Sequence, residues 1–199
     1  IPELVMTEGL PWSWESFPEY LDALDARLRD IDVAAYLPHS ALRVFVMGER
    51  GARREAATAA DLEKMGALAV EALRAGAIGF ATSTVPAHRT RDGDPIPSFL
   101  AAEAELQAMA QAIARAGRGA FQIVANFEDD AADVPEKTVG LFTRLSQTAG
   151  RPLSFTMNQS TRHPNRWRDV FARVSAANAS GGVTLRPQIL PRPLGILLG

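Results

Sequence analysis

Four times along this chain a helix-length amphipathic stretch runs into a glycine and then into a short apolar segment. The clearest copy starts at Thr58, which has Asp61 three residues on, the spacing of a helix N-cap. Leu62, Met65, Leu68, Ala69, Ala72 and Leu73 supply one apolar face, Gly76 stops the helix, and residues 77–82 read as a strand. The unit recurs. A helix over about 101–116 ends at Gly117 and precedes a strand at 121–126; one over about 135–149 ends at Gly150 before a strand at 153–158; one over about 164–179 ends at Gly181-Gly182 before a strand at 183–188. Upstream, Ser16 and Glu19 have capping-box spacing ahead of the stripe Tyr20, Leu21, Leu24 and Leu28. Residues 32–37 then form a further strand candidate, stopped by Pro38.

Helices of this length between short strands imply parallel crossovers, with the helices covering the sheet and the strands reading as continuous apolar runs. Leu62, Met65, Leu68, Leu73, Ile78, Phe80, Ile123, Val124, Phe155 and Met157 are the expected core. Two architectures fit: an open doubly wound sheet, or part of an α/β barrel. A nucleotide-binding doubly wound fold would carry a glycine-rich phosphate turn after a strand, and neither G-x-G-x-x-G nor G-x-x-x-x-G-K-[ST] occurs. The expected fold is therefore α/β, a partial TIM-type (β/α) barrel of about five parallel strands with outer helices. At 199 residues the chain is one domain, short of the roughly 250 that a complete eight-stranded barrel needs. It opens on Ile1-Pro2-Glu3 and closes on the apolar run Leu194-Gly195-Ile196-Leu197-Leu198-Gly199. Both ends read as cuts through a longer barrel.

The net charge of -2 gives no reason to expect nucleic acid or an anionic membrane as partner. No apolar run approaches the ~20 residues of a membrane span, and a cytoplasmic setting is expected. The absence of cysteine excludes disulfides and thiolate metal sites within the chain. An arc of barrel leaves strand edges and apolar interior open, so self-association through those edges is a further expectation.

In parallel α/β folds the site lies at the carboxyl ends of the strands. Polar residues gather there: His39 and Ser40; Thr82, Ser83, Thr84, His88 and Arg89; Asn126, Glu128, Asp129 and Asp130; Asn158, Gln159, Ser160 and Thr161; Gln188 and Arg192. His39 reads either as a hydrogen-bonded structural histidine or as a substrate contact. His88 reads as a solvated loop residue or a substrate contact, and His163 as ordinary surface. Three histidines with no His-x-His and no cysteine make a poor ligand set for a catalytic zinc. No G-x-S-x-G elbow is present.

Several stretches resemble amidohydrolase family 3, the group that includes N-acyl-D-amino-acid deacylases of the D-aminoacylase kind. They are Gly9-Leu10-Pro11-Trp12-Ser13-Trp14-Glu15-Ser16-Phe17-Pro18-Glu19-Tyr20-Leu21, Pro38-His39-Ser40-Ala41-Leu42-Arg43-Val44-Phe45-Val46-Met47-Gly48, Ala72-Leu73-Arg74-Ala75-Gly76-Ala77-Ile78-Gly79-Phe80-Ala81-Thr82-Ser83 and the ending from Arg192 to Gly199. The resemblance implies a barrel with a small β domain made from both chain ends, and zinc-dependent hydrolysis of an amide bond. It implies metal ligands before Ile1 (a His-x-His and a cysteine) and an aspartate beyond Gly199. It also implies histidines at two strand ends that here read Val124-Ala125-Asn126-Phe127 and Thr156-Met157-Asn158-Gln159.

The expected function is that of a fragment of a hydrolase acting on non-peptide amide C–N bonds, N-acyl-D-amino-acid deacylase-like, inactive alone and taking a small N-acyl amino acid or related amide as substrate. The alternative is a non-catalytic binding or structural barrel derived from the same family. A phosphate-binding barrel fits less well, for want of a glycine-rich loop. No cofactor is expected in this chain, with zinc expected in a full-length family member. His39, His88, Asn126, Asn158 and Gln159 are the candidate substrate contacts; no catalytic residue and no metal ligand is assigned.

Overall fold

The structure is a computed structural model that describes residues 7–190. The apolar ending and Arg192 lie outside the described residues. Helix α1 (Phe17–Asp25) leads into strand β1 (Leu37–Pro38), helices α2 (His39–Met47), α3 (Glu49–Ala52) and α4 (Ala59–Ala75), and strand β2 (Gly79–Ser83). Three further units follow: α5 (Glu103–Ala116) with β3 (Ala120–Val124), α6 (Val134–Ala149) with β4 (Leu153–Thr156), and α7 (Arg166–Ala179) with β5 (Leu185–Gln188). All five strands are parallel, in the order β1-β2-β3-β4-β5. This is the expected partial α/β barrel.

Local chemistry sets the helix ends. Ser16 and Thr58 both cap with full capping boxes, their hydroxyls accepting from Glu19 and Asp61 backbone N–H while those carboxylates reach back. Gly117 and Gly150 close α5 and α6 in the left-handed conformation, where a side chain would clash with the following carbonyl.

Right-handed crossovers between strands in consecutive order place every helix on the same face of the sheet. The helices accordingly pack each on the next, α4 on α5, α5 on α6, α6 on α7. That corrects one expectation: β3, β4 and β5 do not behave as continuously buried runs. Phe121, Ile123, Leu153, Phe155 and Leu185 are buried under the helices, whereas Gln122, Val124, Ser154, Thr156, Arg186 and Gln188 stay partly or wholly open on the other face. Register aligns Ala81, Gln122, Ser154 and Arg186 side by side across that open, inner face. The Ser154 hydroxyl donates to the Gln122 side-chain oxygen within the row.

Phe80 and Phe121 meet edge to face at 5.1 Å, and Phe142 stacks tilted on Phe155 at 4.9 Å, under a layer that includes Met65, Leu73, Met109 and Ile113. Each fully buried side chain of this size contributes about 1.5–3 kcal/mol. Most of the expected core is buried or half-buried. Ile78 is not: it precedes β2, its backbone tied to Ala35 and Ala120 but its side chain open. The predicted strand at 32–37 shrinks to Leu37–Pro38, and Pro38 is tolerated inside it because it sits on an edge where its missing N–H is not needed. Leu28 falls beyond the end of α1 and is fully exposed, outside the stripe predicted for it. Helix α2 was not expected at all.

Gly79 marks the closest strand approach: a Cβ there would stand 2.0 Å from the Ala120 carbonyl oxygen. Gly79→Ala should destabilise the chain by about 1–3 kcal/mol or more, since the obstacle is backbone. Gly140→Ala, inside α6 with only the Arg144 side chain 3.5 Å away, should instead stabilise by up to about 1 kcal/mol. Urea denaturation of the two variants checks both signs; equal effects would contradict the packing described.

Candidate functional site

The end of β2 carries two consecutive hydroxyls, and strand alternation sends them to opposite faces. Thr82 points into the helix layer, where its Oγ1 lies 2.8 Å from His39 Nδ1. His39 Nε2 lies 2.5 Å from Glu105 Oε1, and Arg43 donates to the other Glu105 oxygen. Arg43 also donates to the Glu55 carbonyl at 2.7 Å. All three charged or polar side chains are buried. His39, Arg43 and Met47 reach this layer because they recur every four residues on one face of α2.

Burial drives the His39 pKa below its ordinary value, against the pull of the Glu105 carboxylate, so the ring is neutral. Burial works to raise Glu105, but hydrogen bonds from His39 and Arg43 outweigh it and hold the carboxyl below its usual range. An ionised carboxylate only accepts, so His39 carries its proton on Nε2 and takes the Thr82 hydroxyl proton at Nδ1. With both ring nitrogens used and the ring buried, His39 offers nothing to a substrate. These contacts are those of a hydrogen-bonded structural histidine. Glu105 was missed from the sequence. Its signal was its position four and eight residues before Met109 and Ile113, which puts a carboxylate in the buried stripe of α5.

Ser83 points the other way, onto the inner face. Its Oγ accepts from Val85 N–H at 3.2 Å and lies 2.8 Å from His88 Nδ1. The loop bearing His88 folds back on itself, with His88 N–H donating to Val85 O and an Arg89–Pro95 bridge across the turn at Gly93. His88 is exposed. His39 and His88 thus face opposite sides of the sheet.

Side-chain hydroxyls stitch the neighbouring strand ends together. Asn126 N–H donates to Thr84 Oγ1 at 2.9 Å, and Ala125 N–H donates to Thr156 Oγ1 at 2.9 Å. Half-buried Asn126 caps the turn after β3, its Oδ1 accepting from Glu128 N–H at 3.0 Å. The Ser160 hydroxyl donates to Glu128 Oε2 at 2.6 Å, tying in the loop after β4. Asn158 and Gln159 are exposed in that loop; Asn158 lines a small hollow with Phe127, Glu128 and Trp167. His163 Nε2 lies 3.2 Å from Asp130 without hydrogen-bond geometry. His88, Asn126, Asn158 and Gln159 therefore share the carboxyl rim of β2–β4.

Among the described residues no three His, Cys, Asp or Glu side chains converge. No helix among those residues is long and apolar enough to cross a membrane.

The fold and its polar rim define an arc of a parallel α/β barrel. A sequence model of the amidohydrolase family matches residues 3–186, and the chain belongs to that family. Over 78 residues it is 38% identical to the D-aminoacylase of Alcaligenes xylosoxydans xylosoxydans, an alignment taking in 39% of this chain and 16% of that protein. Two solved D-aminoacylase structures share the fold, one of a mutant in complex with copper chloride and one said to define a novel subset of amidohydrolases. They superpose with TM-scores of 0.70 and 0.69 at 24% identity, each match covering 89% of this chain and 34% of the other. The chain thus spans about a third of the length of those structures.

Acid should attack the buried network first. Above the ordinary histidine value of 6.5 the folded and unfolded states are both neutral at this position and the full stability is present. Below it the unfolded chain gains a proton that folded His39 does not, so stability falls; a second loss begins below 4.5 as unfolded Glu105 protonates. Denaturation at about pH 7.5 and about pH 5.5 should show this loss, with His39→Gln less stable at the higher pH but losing less on acidification. Glu105→Gln, which strands the Arg43 charge, should cost about 3–5 kcal/mol. A pH-independent stability in the parent chain would contradict the assignment.

Proposed function

We propose that this chain is the substrate-contacting arc of a longer hydrolase that cleaves the amide C–N bond of small N-acyl amino acids in the manner of a D-aminoacylase. The observation that carries the reading is the family match taken together with a polar carboxyl rim on the uncovered face of the sheet. In the reaction water adds to the acyl carbonyl, the C–N bond breaks, and the amine leaves with a proton. Asn126, Asn158 and Gln159 have neutral amide side chains, which orient a substrate through hydrogen bonds but take no proton near neutral pH. His88 adds an imidazole beside Ser83 at the end of β2. The residues here bind and orient; the proton-transfer and electrophilic groups lie elsewhere in the complete barrel.

The lack of converging metal ligands among residues 7–190 favours a second reading, a non-catalytic binding barrel descended from the same family. Amide hydrolysis separates the two. A complete protein containing this chain should release amino acid from N-acyl-D-amino acids, and the 199-residue chain alone should not, nor retain stoichiometric zinc after dialysis. His88→Ala in the complete protein should raise KM about tenfold or more, the effect of losing a hydrogen bond worth ~1.5–3 kcal/mol to a charged group. Binding without turnover in the complete protein would establish the second reading.

Among the described residues the outer strands β1 and β5 each pair on one side, and Ile189 and Leu190 stand exposed past β5. We therefore expect the chain to self-associate through these edges. Sedimentation velocity should show concentration-dependent oligomers; a monomer at every concentration would refute this.

A further inference from the structure

The two hydroxyls ending β2 make matching contacts with two histidines, but only one of those histidines has its far nitrogen occupied. Thr82 engages His39 Nδ1, and His39 Nε2 is spent on Glu105. Ser83 engages His88 Nδ1, and His88 Nε2 meets no protein acceptor among the described residues. We infer that Ser83 is a positioning residue that locks His88 in the Nε2–H form, so that His88 presents a fixed N–H donor to a carboxylate or acyl oxygen of a ligand bound on the inner face. The inference rests on the N-acyl amino acid reading and names the contact that His88 makes within it.

The direction of the Ser83–His88 bond follows from satisfying the hydroxyl. Ser83 is only 7% exposed. One of its lone pairs already takes the Val85 N–H at 3.2 Å. A buried hydroxyl proton needs an acceptor, and His88 Nδ1, at 2.8 Å, is the acceptor in reach. Nδ1 is then the unprotonated nitrogen, and a neutral ring carries its proton on Nε2. The backbone holds the ring in place: His88 N–H is bonded to Val85 O at 3.1 Å, and Ile96 N–H closes the loop onto His88 O at 3.4 Å. Since Ser83 lies on the face opposite Thr82, the ring stands over the inner face, on the side that carries Gln122, Ser154 and Thr156. A donor already oriented before the ligand arrives loses less freedom on binding than a free loop histidine would.

Three histidines make the test direct, because the ring nitrogens can be assigned by replacing each in turn. Long-range proton–nitrogen correlation spectra of the full chain should show His88 protonated at Nε2 at a pH where the ring is neutral. Ser83→Ala should give a mixture of the two neutral forms, and Ser83→Thr, which keeps a hydroxyl, should restore the single form. Adding N-acetyl-D-leucine should shift the His88 Nε2 signal in the parent and in Ser83→Thr, with at least threefold weaker binding in Ser83→Ala. His88 protonated at Nδ1, or a tautomer indifferent to Ser83→Ala in a variant with an otherwise unchanged spectrum, would overturn the lock. A locked His88 that ignores N-acetyl-D-leucine would overturn the ligand contact and count against the substrate reading, while leaving the lock in place.

Discussion

Parity along the strands governs this molecule. Five parallel strands in consecutive order leave their right-handed crossovers one face to occupy, so alternate residues of each strand go under helices or onto the open inner surface. Phe80, Phe121, Phe155 and Leu185 obey one side of that rule, and Gln122, Ser154, Arg186 and Gln188 the other. The same rule divides Thr82 from Ser83 at the end of β2. One residue step converts a hydroxyl that braces the helix layer into one that serves the rim.

The helix side of that division is unusual in burying charge. Glu105 of α5 is ionised where it packs against α2, held by Arg43 and by the neutral ring of His39. Removing charges from water is costly, and replacing such a cluster with apolar residues is often neutral for stability, so the network is a weak candidate for the source of net stability. What it provides is position. Its hydrogen bonds are directional and join β2, α2 and α5 at one height, next to the strand end from which Ser83 and the His88 loop depart. A slide of α2 over the sheet would break the His39–Glu105 and Arg43–Glu105 contacts.

Much of this was legible in the sequence, and the reasons for what was not are physical. The helices of the four repeating units announced themselves through caps, apolar stripes and terminal glycines, all local signals. Strand order and helix placement followed from crossover length and handedness. The misses arose where a residue's environment depends on distant partners. Residues 32–37 are apolar enough for a strand, but Leu37 and Pro38 are the residues that fall in register with β2, Ala35 adds a single backbone bond from Ile78, and Val33 is exposed. His39 and His88 look equivalent in sequence, each following a strand end, and only the fold shows that they face opposite sides. Asn126, Asn158 and Gln159 were placed on the rim by their position after strands, and they lie there. The roll of hydroxyls from Thr84, Thr156 and Ser160 in knitting that rim had no sequence signal beyond residue type.

The central claim is that ligand binds on the inner face at the carboxyl rim, with the helix side reserved for structure. An apolar hollow of about 340 Å³ between α1, α2 and α4 competes with that claim, lined by Trp14, Tyr20, Tyr36 and Phe45 beside β1. A crystal structure of the complete protein with an unhydrolysed N-acyl amino acid analogue decides between the two. The account predicts density over the carboxyl ends of β2–β4, with a ligand oxygen within hydrogen-bond distance of His88 Nε2. Density confined to the hollow beside Trp14 and Tyr20, with His88 uncontacted, would contradict it.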